Sequence, residues 1–323
     1  MALARWVVAA VLLTAAVAVL AWLLAPVDQS FATVRDQPGV VRCVAVGSSG
    51  VGVGVAAAGD DGDVRLWEAG KNRLRHKLSG HTGKVRALAY HPVQPQLASA
   101  GDDHTIRLWD AALGTPLHTW QPSAKAVECL AFSPDGAVLA AGGADKCVYL
   151  FTVADRKLLH TLKGHAKHVH GVAFAADGKT VYSGSEDGAV RAWDAASGTL
   201  RREVSAGKHH IHMLAVSPDG KHLYAAAGGP GLQAWDLPAL TPAAVPFRGG
   251  GLAKAVAVSP DGKRLATVHE DKLVRLWDAA GGEPVRVLTG HRGMALGVAF
   301  GPDGTTIATA GSDGTVKWWR VGQ

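Results

Sequence analysis

Cysteine is scarce, charge is thin and no cofactor fingerprint is present. Three cysteines, Cys43, Cys129 and Cys147, are an odd number at no metal-ligand spacing, so neither a disulfide framework nor a zinc ribbon is encoded. Only 19% of residues are charged, and the formal net charge of +6 comes without a Lys/Arg run or a basic stripe interleaved with aromatics, which removes nucleic acid from the expected partners. No phosphate-binding loop, HExxH, GxSxG or dinucleotide motif occurs, so the sequence offers no usual ground for an enzyme, a cofactor or a small-molecule substrate. Tyrosine and phenylalanine number only 4 and 6, whereas tryptophan reaches 10. That surplus of tryptophan is periodic.

The stretch DDHTIRLWD, Asp102 to Asp110, returns as DDGDVRLWE, EDGAVRAWD, GGPGLQAWD, EDKLVRLWD and SDGTVKWWR. The tryptophans are 67, 109, 193, 235, 277 and 319, every gap is 42 or twice 42, and the missing member falls at Phe151. A fixed period of this length marks a repeat array, in which one supersecondary unit cannot bury its apolar face alone. Within a repeat the pattern reads as four short strands: VHGVAFA, KTVYSGS, AVRAWDA and TLRREVS, separated by tight turns. Pro-Asp-Gly recurs at 134–136, 218–220, 260–262 and 302–304, where proline presets the turn and glycine takes its left-handed position.

Period and motif resemble the WD40 family over about residues 31–323. The resemblance implies an all-β fold, a seven-bladed propeller closed by an N-terminal strand, with Phe31 to Arg35 filling the outer-strand slot of the last blade. It places Cys129 and Cys147 on the first and third strands of one blade, about twice the ~4.8 Å strand spacing apart and too far for a disulfide.

Ahead of the repeats, a short tail (1–5) precedes Trp6 to Ala25, twenty residues with Thr14 as the only polar one. As a helix this run spans about 30 Å, the thickness of a hydrocarbon core, and Trp6 and Trp22 sit near its ends. The expectation is a single membrane-spanning helix, then a linker (26–30) that keeps the propeller close to the bilayer. Arg5 and the amino terminus favour a cytoplasmic N-terminus and a propeller outside the cytoplasm. A cleaved signal peptide, giving a secreted or periplasmic propeller, is the competing reading; Pro26 disfavours it. By the family's strand order the chain would arrive at the bottom rim, turning Lys179, Lys221 and Lys263 toward the membrane.

Counting back from each tryptophan, the resemblance implies a structural network of Asp, Ser or Thr, and His. Full sets occur as His81, Ser99, Asp103 and Trp109; His165, Ser183, Asp187 and Trp193; and His291, Thr309, Asp313 and Trp319. Blades 3, 5 and 6 lack a full set and are expected to be softer. Repeated in three blades, Ser, His and Asp read as hydrogen-bonded structure and not as a catalytic triad.

Partner contacts in the family cluster on the top face. Carried onto this chain they are Arg42, Asp60, Lys84, Arg86, Asp102, Glu128, His168, His170, Glu186, His210, His212, Lys254, Glu270 and Met294. Two sectors stand out, a basic one of Arg42, Lys84 and Arg86 and an imidazole one of His168, His170, His210 and His212. Those four histidines are candidate ligands for zinc, copper or nickel; the plainer reading is a polar rim with no resident metal. The expected function is a non-catalytic, membrane-tethered scaffold that binds a protein or peptide on its top face. The alternative is a propeller enzyme or metal sensor built on the histidines.

Overall fold

The computed structural model describes residues 29–35, 37–50, 52–69, 73–229, 231–244 and 246–322. Among these, seven four-stranded antiparallel sheets follow one another along the chain and form the blades of a propeller. Blade 2 shows the unit: inner strand Val85–Tyr90, then Gln96–Gly101, the tryptophan strand Ile106–Asp110, and outer strand Thr115–Trp120. Trp67, Trp109, Trp193, Trp235, Trp277 and Trp319 are at most 3% exposed, and Phe151 takes the same place in blade 3. One blade's tryptophan strand and the next blade's inner strands share each apolar core. Seven such clusters fill the seven blade-to-blade interfaces, for instance Ile106, Leu108 and Trp120 against Val127, Leu139 and Phe151.

The ring closes through Ala32–Val34, which pairs antiparallel with Val316–Arg320 in the register Ala32 to Trp318 and Val34 to Val316. Val34 is buried with Val41, Val316 and Trp318. Ahead of this strand the first described residues touch blade 6. Gln29 N donates to Thr289 O at 2.8 Å and Gln29 Oε1 accepts from Thr289 N at 3.2 Å, at the top end of the outer strand Arg286–Leu288. Residues 29–30 therefore lie against the outer flank of blade 6, and the path of the chain before them lies outside the described residues. The expected membrane span 6–25, with the tail 1–5, lies outside the described residues; among those described, no helix is long and apolar enough to cross a membrane.

Tight turns hold each blade. Gly62, Gly188 and Gly314 follow the turn aspartates with φ of 78°, 78° and 73°, and His104, Lys146 and Lys272 adopt the same left-handed conformation without glycine's freedom. At the bottom, the Ser-Pro-Asp-Gly turns carry their own brace: Ser133 Oγ donates to Asp135 at 2.6 Å and accepts from Val138 N at 2.9 Å, with Ser217 and Ser259 repeating the pattern.

The degraded repeats are not equally weak. Blade 3 has four full strands, with the seven-residue outer strand Lys157–Lys163 and a Trp120, Phe151 and Tyr149 aromatic row, so its expected softness has no counterpart in the geometry. In blade 5 the outer strand shrinks to Thr241–Pro242, because Pro238, Pro242 and Pro246 withhold ladder donors. All three cysteines are free, and Cys129 and Cys147 do lie on the first and third strands of blade 3. Burial pushes the Cys43 thiol up to about 12 and the Cys129 thiol further still, which keeps both protonated and inert.

Candidate functional site

Buried polar groups in a dry sheet must be paired, and the His, Ser/Thr, Asp and Trp sets achieve this as relays. Tryptophan can only donate, so Ser99 Oγ accepts from Trp109 Nε1 at 2.8 Å and passes its own proton toward His81 Nε2 at 2.7 Å; His81 Nδ1–H then faces the Asp103 carboxylate at 2.9 Å. Blade 4 repeats the relay through Trp193, Ser183, His165 and Asp187, and blade 7 through Trp319, Thr309, His291 and Asp313. Ser99, Ser183 and Thr309 are fully buried, so no substrate reaches these hydroxyls and the sets hold the blades together. Burial lowers the pKa of His81 and His165 despite their aspartates. It would raise those of Asp103, Asp187 and Asp313, but hydrogen bonds from the imidazoles and neighbouring backbone or hydroxyl groups outweigh it and hold all three below the usual carboxylate range.

Blade 6 corrects the expectation that it lacks such a network. Trp277 Nε1 donates to Thr267 Oγ1 at 2.7 Å, Thr267 meets His269 Nε2 at 2.7 Å, and His269 Nδ1 donates to Leu252 O at 3.1 Å. The imidazole comes from the second strand, two residues after Thr267, and a backbone carbonyl replaces the aspartate. The i, i+2 spacing on one strand face was the available signal. The turn aspartate released by this rewiring pairs with Arg275 at 2.6 Å, as Asp61 does with Arg65 at 2.6 Å, while Asp145 accepts from the Tyr149 hydroxyl. Every turn aspartate thus has a partner.

Blade 1 holds the broken relay. Ala57 stands where the hydroxyl should be; Trp67 Nε1 and Gln37 Oε1 are both buried without a hydrogen-bond partner among the described residues, and Gln37 Nε2 donates to Ala57 O at 3.1 Å. Gln37 thus sits beside position 57. An Ala57→Ser hydroxyl would accept from Trp67 and donate to Gln37, so the variant is expected to gain about 1–2 kcal/mol in chemical denaturation; an unchanged or lower midpoint would show that the two orphans are not within reach of one hydroxyl.

On the top face a single backbone device repeats in all seven blades. The residue before each turn aspartate, or before Gly229 in blade 5, donates its N–H to the carbonyl that precedes the inner strand: Asp60 to Val40, Asp102 to Lys84, Ala144 to Ala126, Glu186 to His168, Gly228 to His210, Glu270 to Leu252 and Ser312 to Met294. Between that clamp and the regular ladder lies one extra residue, a β-bulge, at Arg42, Arg86, Glu128, His170, His212, Lys254 and Leu296. Bulges re-aim a side chain, and these line the mouth of the central channel, a cavity of about 370 Å³. Arg42 and Val40 occupy their slots in spite of the two extra residues of blade 1, because these lengthen the hairpin at the opposite end, between Ser48 and Val53. Below the mouth the channel opens into an apolar chamber lined by Val44, Leu88, Leu214, Val256 and Val298.

The basic sector anticipated at Arg42, Lys84 and Arg86 is neutralised. Arg42 pairs with Asp60, Lys84 with Asp60 at 3.3 Å, and Arg86 with Asp102 at 2.7 Å while reaching Glu128 at 3.8 Å. Farther round, Lys254 holds Glu270 at 2.7 Å. The four histidines do come together, with ring centroids 6.0 Å apart for His168 and His170, 6.3 Å for His170 and His212, and 6.4 Å for His210 and His212. Burial, then the charge of Lys254, lowers the His212 pKa to about 4, so this imidazole is neutral. Against this polar arc stands an apolar one, of which the sequence analysis names only Met294: Leu252 and Met294 are 43% and 41% exposed, and Leu296 lines the channel mouth beside Met294. A concavity of about 920 Å³ lies elsewhere, over the blade 7 relay between Arg35, Lys272 and Arg292.

A family model described as WD domain, G-beta repeat matches residues 72–110, 114–152, 156–194, 249–278 and 282–320, more than half of the chain. The chain belongs to the WD40-repeat family. Each matched stretch begins in the loop or outer strand of one blade and ends on the tryptophan strand of the next, which is the overlap that the closing strand completes. Unmatched are blade 1, with its broken relay, and blade 5, where Gly229 replaces the turn aspartate. A comparison with curated proteins returned no match.

Proposed function

We propose that this propeller is a non-catalytic interaction scaffold that receives a protein or peptide segment across its top face, tethered to a membrane by residues 6–25. The observation that carries the reading is the ring of seven bulge side chains at the channel mouth. A bulge is a local departure from regular pairing, and seven in register aim side chains of unlike chemistry at one point while the strands beneath stay regular. The cations of this ring are paired with the neighbouring carboxylates Asp60, Asp102 and Glu270, which favours a partner that exchanges these ion pairs over one attracted by bare charge. Leu252 and Met294, with the half-buried Leu296, supply the apolar surface on which such a partner would anchor.

Family membership supports the scaffold reading, since propellers of this kind generally bind proteins. Nothing in the geometry favours an enzyme: the Ser and Thr hydroxyls flanked by histidine are buried and engaged by tryptophan. In affinity capture from native membranes, the Arg86→Ala/His170→Ala/His212→Ala variant is expected to lose at least about tenfold of specific partner recovery, as removal of central contacts does. Bottom-face replacement of Lys179, Lys221 and Lys263 by Ser should leave recovery unchanged. Loss with the bottom variant and retention with the rim variant would reverse the assignment.

A further inference from the structure

We propose that His168, His170 and Glu186 form a binding site for one divalent transition-metal ion, zinc in the first instance, on the rim of blade 4. The inference stands apart from the partner reading and needs no partner to be tested. A ring nitrogen of each histidine and a carboxylate oxygen of Glu186 lie within 4.8 Å of one another, and this is the one such trio among the described residues. His170 Nε2 is 2.8 Å and His168 Nδ1 is 3.9 Å from Glu186 Oε1. Ligands about 2.0–2.1 Å from a tetrahedral zinc are separated by about 3.4 Å, so the carboxylate has to move by about half an ångström relative to each ring, and the two ring nitrogens, within 4.8 Å of each other, close by about 1.4 Å at most.

The backbone already orders the three donors. The Glu186 N–H to His168 O bond, 3.0 Å, fixes two of them side by side, and the bulge at residue 170 turns the third toward them. Two imidazoles and one carboxylate make a donor set suited to zinc, copper or nickel, and an open fourth position would be left to water. A further carboxylate stands behind: Glu128 Oε2 is 3.8 Å from His170 Nδ1, on the side of the ring away from Glu186. With Nε2 on the metal, Nδ1–H would face the charge of Glu128, and a closing of about 0.8 Å to a hydrogen bond of about 3 Å would fix the imidazole's orientation and raise its basicity. His168 and His170 are partly exposed, so an ion can arrive from solvent. The candidate four-histidine set thereby narrows to one blade, with His210 and His212 as neighbours and not ligands.

The test is calorimetric titration of the full-length protein with zinc sulfate alone, followed by cobalt(II) absorption to report the coordination. One ion per chain is expected. His168→Ala, His170→Ala and Glu186→Gln should each weaken binding by at least about tenfold, and Glu128→Gln by less, through loss of the carboxylate charge behind the ring. The His210→Ala/His212→Ala double variant should bind as the parent does, and all variants should match its melting temperature in chelator, because these side chains lie on the rim. Absence of saturable binding to the parent would overturn the proposal. So would undiminished binding to the His168→Ala/His170→Ala double variant, or a loss confined to His210→Ala/His212→Ala.

Discussion

A chain that begins at residue 36 is expected to melt well below one that begins at residue 29 and to associate through an open sheet edge. The strand removed, Ala32–Val34, is short, but it carries the closure of the ring. Val34 is 5% exposed and packs on Val41, Val316 and Trp318, so its removal forfeits about 1.5–3 kcal/mol of apolar burial. The backbone bonds to Val316–Trp318 add about 0.5–1.5 kcal/mol each. Thr33 Oγ1 also accepts from the buried Lys317 ammonium at 3.1 Å, and the Arg320 guanidinium lies 5.0 Å from the Phe31 ring. Together these place the loss at about 4 kcal/mol or more, and the bared Val316–Arg320 strand is a template for pairing with another chain. Thermal melting with size-exclusion chromatography checks both effects; equal melting temperatures and a monomeric profile for the two chains would show that the ring is held shut without this strand.

Stability should also fall steeply as pH drops from 6.5 to 4. His269 has the clearest effect: burial, then the charge of Arg275, brings its pKa down to about 4, against 6.5 for an exposed histidine. Between those values the unfolded chain binds a proton that the folded chain refuses. The stabilisation is therefore complete above pH 6.5, is lost progressively as pH falls toward 4, and loses nothing further once both states are protonated. A shift of that size is worth about 3 kcal/mol. The lowered pKa values of His81 and His165 act in the same direction. Below about pH 4 the carboxylates of Asp103, Asp187 and Asp313, held low in the fold, take over as they are forced to protonate. Urea midpoints measured across this range should shift most between pH 6.5 and 4, and His269→Gln should flatten that segment. A midpoint independent of pH down to 4 would mean that the buried imidazoles are protonated in the fold.

Much of this was legible in the sequence, for a definite reason. A 42-residue period anchored on tryptophan admits no architecture that lets the blades drift, so number, register and closure follow from counting. The relay sets of blades 2, 4 and 7 were visible because each member keeps a fixed distance from its tryptophan. His269 escaped the count because it reaches the same hydroxyl from another strand. Charge pairing on the rim was hidden for a similar reason: Lys84 and Asp60 belong to different blades, and only their spatial order turns a basic sector into a neutral one. Bulges leave no mark in the period, since every blade contains one. The contact with blade 6 depends on Gln29 and Thr289, which lie at opposite ends of the numbering.

We propose that function resides on the rim of unlike bulge residues and not on the regular blades beneath. Hydrogen exchange of the protein with and without its captured partner tests this most directly. Protection is expected at the top-face amides of Asp102, Glu186 and Glu270 and along 168–170, 210–212, 252–254 and 294–296, with the bottom turns at 134–136, 218–220 and 260–262 unchanged. Protection confined to those bottom turns or to the outer strands would contradict it.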